Sequence, residues 1–342
     1  MGKAAKSEIA ENVDMSLWEE IAPHSLQRKA AIAWGKGTDH SGNVRVVPMD
    51  NFDMDRTIFS TLEGKLPRIV MEAKIANVVY WDDHAAGKIE EAYRDEMSDF
   101  KVPEIDPKLI HFIMSECDFD MEHADGSFLE HLLFCHEYSA RHYPEYSANI
   151  LFLHSILGTA TNTFAMEAHK IPMLRELLTD FEARHIEAFP SIFRLIYDLS
   201  LLKFLNANVS RLSDIKSITF HRVIDNEKMT LSAEDLWIAL NFQMIHFVDF
   251  LPAANWVSHR ADPLIQFFQD VYDFLERAGK RQAKVDFNLM SGSSDPVGEE
   301  RTLGGKFSAL IPPIVKRKLA AKSVRQFSDK IGHSLDYQIE WK

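Results

Sequence analysis

Between Asp106 and Arg277 apolar residues recur every three or four positions, the period of helices that bury one face. Before Asp106 the pattern is mixed. WGKGTDHSGNVRVVPMDN reads as loop and short strand, and HAAGKIEEAYRDEMSDF as a charged, exposed helix. Inside the helical stretch, SITFHRVIDNEKMTLS (217–232) alternates apolar and polar residues around Asp225 and Asn226, as a strand pair does, and Ser232 then stands where a helix N-cap belongs. Residues 278–305 read as a linker, most plainly in SGSSDPVGEERTLGG (291–305), which is expected to be poorly ordered. The pattern predicts a mainly α protein: a mixed α/β N-terminal region over 1–105, a helical core domain with a small β-hairpin over 106–277, the linker, and a C-terminal arm over 306–342.

Charge divides the chain differently from hydropathy. The 342 residues carry a formal charge of −13, yet the stretch from Arg301 onward holds nine Lys and Arg against three Asp and Glu. That segment is therefore at +6 and the preceding 300 residues at −19. An acidic body disfavours general nucleic-acid binding, which needs surplus cations for phosphate contacts. The basic arm is expected to dock on the acidic body of its own or a neighbouring subunit, so a homo-oligomer is one expected state. No apolar run approaches the roughly 20 residues that span a bilayer. The start MGKAAKSEIA lacks the apolar stretch of a signal peptide. With only Cys117 and Cys135, and no CxxC spacing, the expectation is a cytoplasmic protein without disulfides.

The candidate chemistry lies in the histidines. There are fifteen, and for most the expected role is structural. In DGSFLEHLLFCHEYSARHYPEY, Ser127 can cap a helix and Pro144 follows its end. At about 100° per residue His131 shares a face with Phe128, Leu132, Cys135, Tyr138 and His142 and points inward. The next helix, SANILFLHSILG, places His154 inside as well, 23 residues later and after a short turn. On a later helix, LSAEDLWIALNFQMIHFVDFLP, His246 and Asp249 are three positions apart and share a face. Two inward histidines with a His/Asp pair are ligand types for a transition metal. The competing reading is equally simple: core histidines satisfied by hydrogen bonds, with Asp249 pairing His246 or marking a helix end.

A helix carrying one His (EHLLFCHEY, 130–138), a turn, and a helix delivering FLHSILGT (152–159) resemble the arrangement of the HD-domain superfamily, an all-helical metal-binding fold. Where that family has Asp after the second His, this chain has Ser155. The chain is closer to an uncharacterised branch that itself carries His-Ser-x-x-Gly-Thr, and the resemblance spans roughly residues 125–255. It implies metal ligands at His131, His154 and His246 or Asp249, with a small-molecule substrate. Ser155, Tyr138 and Glu187 are candidates to hold the outer imidazole nitrogens or to contact substrate. His185 and Thr159 are the catalytic candidates, Thr159 lying just past Gly158 at the expected mouth of the site. Two His and one carboxylate form the ligand set of mononuclear iron oxygenases, so the expectation is an oxygenase holding a divalent transition metal, Fe first and Mn or Zn next. A metal-dependent phosphohydrolase and a non-catalytic ligand- or partner-binding domain are the alternatives.

Overall fold

The computed structural model describes residues 13–19, 83–118, 126–249, 263–285 and 310–342, with single residues and pairs among 21–32, 65–79, 122–123 and 299–300. The fold is mainly helical with a small three-stranded antiparallel sheet, as the apolar spacing predicts. In chain order the helices are α1 (Ser16–Glu19), α2 (Asp83–Ser98), α3 (Pro107–Glu116), α4 (Phe128–His142), α5 (Asn149–Phe152), α6 (Ile171–Glu176), α7 (Asp180–Tyr197), α8 (Ser200–Ala207), α9 (Ala233–Asp249), α10 (Pro263–Arg277) and α11 (Pro313–Lys330). The strands of the sheet are β1 (Ile215–His221), β2 (Lys228–Ser232) and β3 (Gln338–Trp341).

Local chemistry sets the helix starts. Asp106 accepts from the Lys108 amide ahead of Pro107, which has no N–H to leave unpaired in a first turn. Thr179 and Glu182 form a capping box at the start of α7. Ser232 Oγ accepts from the Asp235 amide at 3.0 Å, the cap expected for α9. Every residue of α9 from Leu236 to Asp249 is buried. That is the mark of a central helix, and α9 packs against α4, α7, α10 and the sheet.

The hairpin is one part of a larger sheet. β1 pairs with β2 in the register Thr219↔Thr230, and on its other edge with β3 from the C-terminal end of the chain, Ile218 opposite Ile339. The basic arm is thereby built into the fold of its own chain. α11 packs on α7 and α10, Arg325 pairs with Asp198, Arg317 with Asp270, and Lys216 with Glu340 at 2.6 Å. A buried hub reinforces the docking. Arg194 donates to the Thr159 carbonyl (2.8 and 3.2 Å), to Asn162 Oδ1 (2.7 Å) and to Ser328 Oγ of α11 (3.1 Å). His333 lies between Ser328 Oγ and the His221 carbonyl.

Of the expected linker, residues 286–298 and 301–305 lie outside the described residues, while 299–300 pair with 78–79. Cys117 and Cys135 are free thiols. Among the described residues no helix is long and apolar enough to cross a membrane.

Candidate metal centre

α4 and α9 each present one buried histidine to the same point, and the turn after α5 presents a third. His131, His154 and His246 are 0–3% exposed and each offers a ring nitrogen within 4.8 Å of the other two. The ring centroids are 5.0 Å apart for His131 and His154, 5.3 Å for His131 and His246, and 4.4 Å for His154 and His246. The sequence reading of these three as inward-facing and convergent agrees with this geometry.

His154 arrives by a different local route from the one expected. The helix does not run on to Gly158. It stops at Phe152, and His154 sits in the turns that follow. The His154 ring takes the Leu151 carbonyl for itself, Nδ1 to O at 2.5 Å, and a side chain that captures a backbone acceptor competes with the helical ladder. Gly158 closes the turn at φ +135, where a Cβ would lie 2.9 Å from the Phe164 ring, so only glycine fits there.

The outer nitrogens decide what the inner ones can do. A carbonyl oxygen only accepts, so His154 Nδ1 carries the proton it donates to Leu151. His131 Nδ1 lies 2.6 Å from Asp249 Oδ2. Burial alone would raise the Asp249 carboxyl, but the adjacent Arg28 guanidinium and the His131 hydrogen bond outweigh it and hold Asp249 far below the usual carboxylate range. Asp249 is thus ionised, and His131 Nδ1 donates to it. In their neutral forms both rings then have Nε2 without hydrogen, and these two nitrogens face each other at 3.2 Å. Two lone pairs at that separation call for a cation: a shared proton that makes one ring an imidazolium, or a metal ion. Two nitrogens held tetrahedrally at about 2.0–2.1 Å from zinc stand roughly 3.4 Å apart. The donor set fits one transition-metal ion.

Asp249 stands outside the ligand group. Arg28 grips it with Nε at 2.7 Å from Oδ1 and Nη2 at 3.2 Å from Oδ2, and both partners are buried. Its place is behind His131, where a carboxylate fixes the ring's tautomer and orientation. The supports of His131 and His154 are therefore Asp249 and the Leu151 carbonyl, in positions expected for Ser155, Tyr138 or Glu187. Ser155 is buried and its carbonyl accepts from the Gly158 amide. Tyr138 stacks on His142 at 4.0 Å. Glu187 is clamped by Arg175 at 2.5 and 2.7 Å and by Arg222. Thr159 folds back on its own loop, its hydroxyl accepting from the Thr161 and Thr163 amides at 3.2 Å. His185 Nδ1 donates to the Phe181 carbonyl at 3.0 Å, its Nε2 lies 3.8 Å from Asp235 of α9, and burial lowers its pKa.

Two further features complete the surroundings. Phe189 and Phe193 of α7 stand edge-on to the imidazoles, Phe189 4.7 Å from His154 and Phe193 5.0 Å from His246 between centroids. Cys135 Sγ lies 3.8 Å from His131 Nδ1, and burial pushes its thiol well above the usual range. Sequence reasoning missed Arg28, which lies 221 positions from the carboxylate it holds. It did not single out Phe189 or Phe193 as part of the site. Comparison with family models, with curated proteins and with solved structures gives no match.

Proposed function

We propose that this protein is a mononuclear metal-dependent enzyme in which His131, His154 and His246 hold one divalent transition ion and a small molecule is the substrate. The observation that carries the reading is the pair of Nε2 atoms facing each other at 3.2 Å while both Nδ1 atoms are committed as donors. The motif order supports an HD-like enzyme: one His on a helix, the next after a short turn, and the His246/Asp249 pair on a later helix.

An ion on three neutral imidazoles keeps its full positive charge and supplies Lewis acidity toward a water or substrate oxygen. The chain's own residues do the rest. Asp249 and the Leu151 carbonyl orient two of the rings, and the Phe189 and Phe193 edges keep bulk water from the third. The oxygenase expectation rested on two His and a carboxylate, and the Arg28 grip withdraws that carboxylate from the ligand set. Metal-assisted hydrolysis is therefore the leading reaction. A phosphate ester is the less favoured substrate, because the cation beside the centre among the described residues, Arg28, is engaged by Asp249. The aromatic walls favour a neutral molecule.

The test is a substrate screen of the zinc- and iron-loaded protein run in air and without dioxygen. Hydrolysis that chelator abolishes and dioxygen leaves unchanged supports the leading reaction. Substrate-dependent dioxygen uptake with iron restores the oxygenase reading, and no turnover under either condition counts against an enzyme.

A further inference from the structure

The N-terminal segment touches each element that delivers a metal-site histidine. Trp18 of α1 sits edge-on to Phe152, two residues before His154, with centroids 6.2 Å apart. His24 Nε2 is 2.7 Å from Glu137 Oε2 on α4, the helix of His131. Arg28 reaches Asp249 on α9, the helix of His246. Arg28 also lies 3.6 Å from Glu130, the residue before His131. Three contacts, one per element, tie the segment to the site, and one of them runs straight to a metal-site ring: Arg28 to Asp249 to His131 Nδ1.

We propose that docking of the N-terminal segment and loading of the metal centre are one coupled equilibrium, transmitted through Arg28, Asp249 and His131. This inference rests on the metal-centre reading. Arg28 is a positioning residue in it. Its planar fork holds both carboxylate oxygens of Asp249, so the oxygen that meets His131 cannot swing away and the ring keeps the orientation that aims Nε2 at the centre. Coupling between two binding events is reciprocal. A docked segment raises the affinity for metal, and bound metal holds the segment down by the same factor. The class of regulator this implies is anything that competes for the segment: a partner that captures Trp18, His24 and Arg28 weakens metal binding by that same factor.

The test uses the full-length chain, stripped of metal, as wild type, Arg28→Met and Arg28→Lys. Zinc affinity is read by competition with a chromophoric chelator, the geometry by the visible spectrum of the cobalt-loaded protein, and docking by amide exchange. Arg28→Met is expected to weaken zinc binding by about 10-fold, the low end of the range for lost outer partners of metal-bound histidines, because Arg28 acts on His131 through Asp249. Arg28→Lys, which keeps the charge and loses the fork, should fall between, and the cobalt spectrum should change in both. In wild type, zinc should slow exchange of the Glu19, Arg28 and Lys29 amides, which are hydrogen-bonded to Met15 and Ser25 in the docked segment. If Arg28→Met fails to fold, Arg28→Lys and the wild-type exchange experiment decide alone. Wild type that binds zinc while the variants match it in affinity and spectrum, with no exchange response, overturns the coupling and leaves the metal centre standing. Wild type that takes up no zinc overturns both.

Discussion

Arg194 and His154 are equally inaccessible, both at 0% exposure, yet their polar atoms end in different ways. Around Arg194 the guanidinium donors meet the Thr159 carbonyl, Asn162 Oδ1 and Ser328 Oγ. Donors and acceptors there match within the chain, and the cluster ties the C-terminal arm to the loop after Gly158. Around His154 the outer nitrogens are matched, but the inner ones of His154 and His131 bring acceptor to acceptor. Burying polar groups costs free energy unless partners of the opposite kind are supplied. A cluster that supplies its own partners is architecture, and one in which two ring acceptors face each other could hold a cation.

The contrast breaks most visibly under substitution of a ligand. His154→Ala is expected to lower metal affinity by more than about 100-fold, beyond the effect of losing an outer partner. The metal-free protein should lose no more than about 3 kcal/mol, the scale of one buried polar partner. Isothermal titration with zinc and urea unfolding of the stripped protein read the two effects separately. If affinity is unchanged, the imidazoles are architecture too.

Acid separates the clusters next. Burial lowers His333, beside the Arg194 hub, to about 4, and lowers His136 on α4 to about 4. Both titrate near 6.5 when unfolded, so below that pH the unfolded chain binds more protons and stability rises with pH. Their contribution is whole above about 6.5 and declines as pH falls through about 4, at about 1.4 kcal/mol per pH unit for each group. Between pH 7 and pH 5 the unfolding free energy should drop by roughly 4 kcal/mol from the two together. His333→Gln should remove about half of that drop, and a pH-independent urea midpoint would contradict it.

Gly158 lies in the loop shared by both clusters, four residues after His154 and one before Thr159. Gly158→Ala should cost about 1–3 kcal/mol, because a Cβ meets Phe164 at 2.9 Å and the backbone has φ +135. The melting temperature reads it, and an unchanged value would show that the loop yields. An effect no larger is expected for Ser328→Ala, about 1–3 kcal/mol for a buried hydroxyl shared by Arg194 and His333, with metal affinity unaltered. A change in zinc binding in that variant would show that the two clusters are not separate.

Much of this was legible in the chain and some was not, for physical reasons. Helical periodicity placed α4 and α9, with His131 on the apolar face of α4 and His246 on the same face as Asp249 three positions on. The alternation over 217–232 identified β1 and β2. It did not find β3, since Gln338–Trp341 pairs with a strand more than a hundred positions away and carries no local signal of its partner. The length of the α5 helix was overestimated because His154 captures the Leu151 carbonyl, an event that apolar spacing does not encode. Asp249 was found as a residue of the site, but its role depends on Arg28. A buried arginine looks like any surface cation in sequence, and the SLQRKAAIAW stretch that carries it reads as an ordinary mixture of apolar and charged residues. Glu187 and His185 are candidates by residue type, and their partners, Arg175, Arg222 and Asp235, become visible only with the fold.

Everything proposed for the centre turns on whether it takes up an ion, so the most direct measurement is the metal content of wild type and His154→Ala, purified side by side without added metal and then offered zinc, manganese and ferrous iron in turn. About one transition-metal ion per chain is expected in wild type, as purified or after loading, and none retained by the folded variant. Wild type that holds no ion and takes up none of the three would contradict it, and would leave the 3.2 Å contact between His131 and His154 as a shared proton.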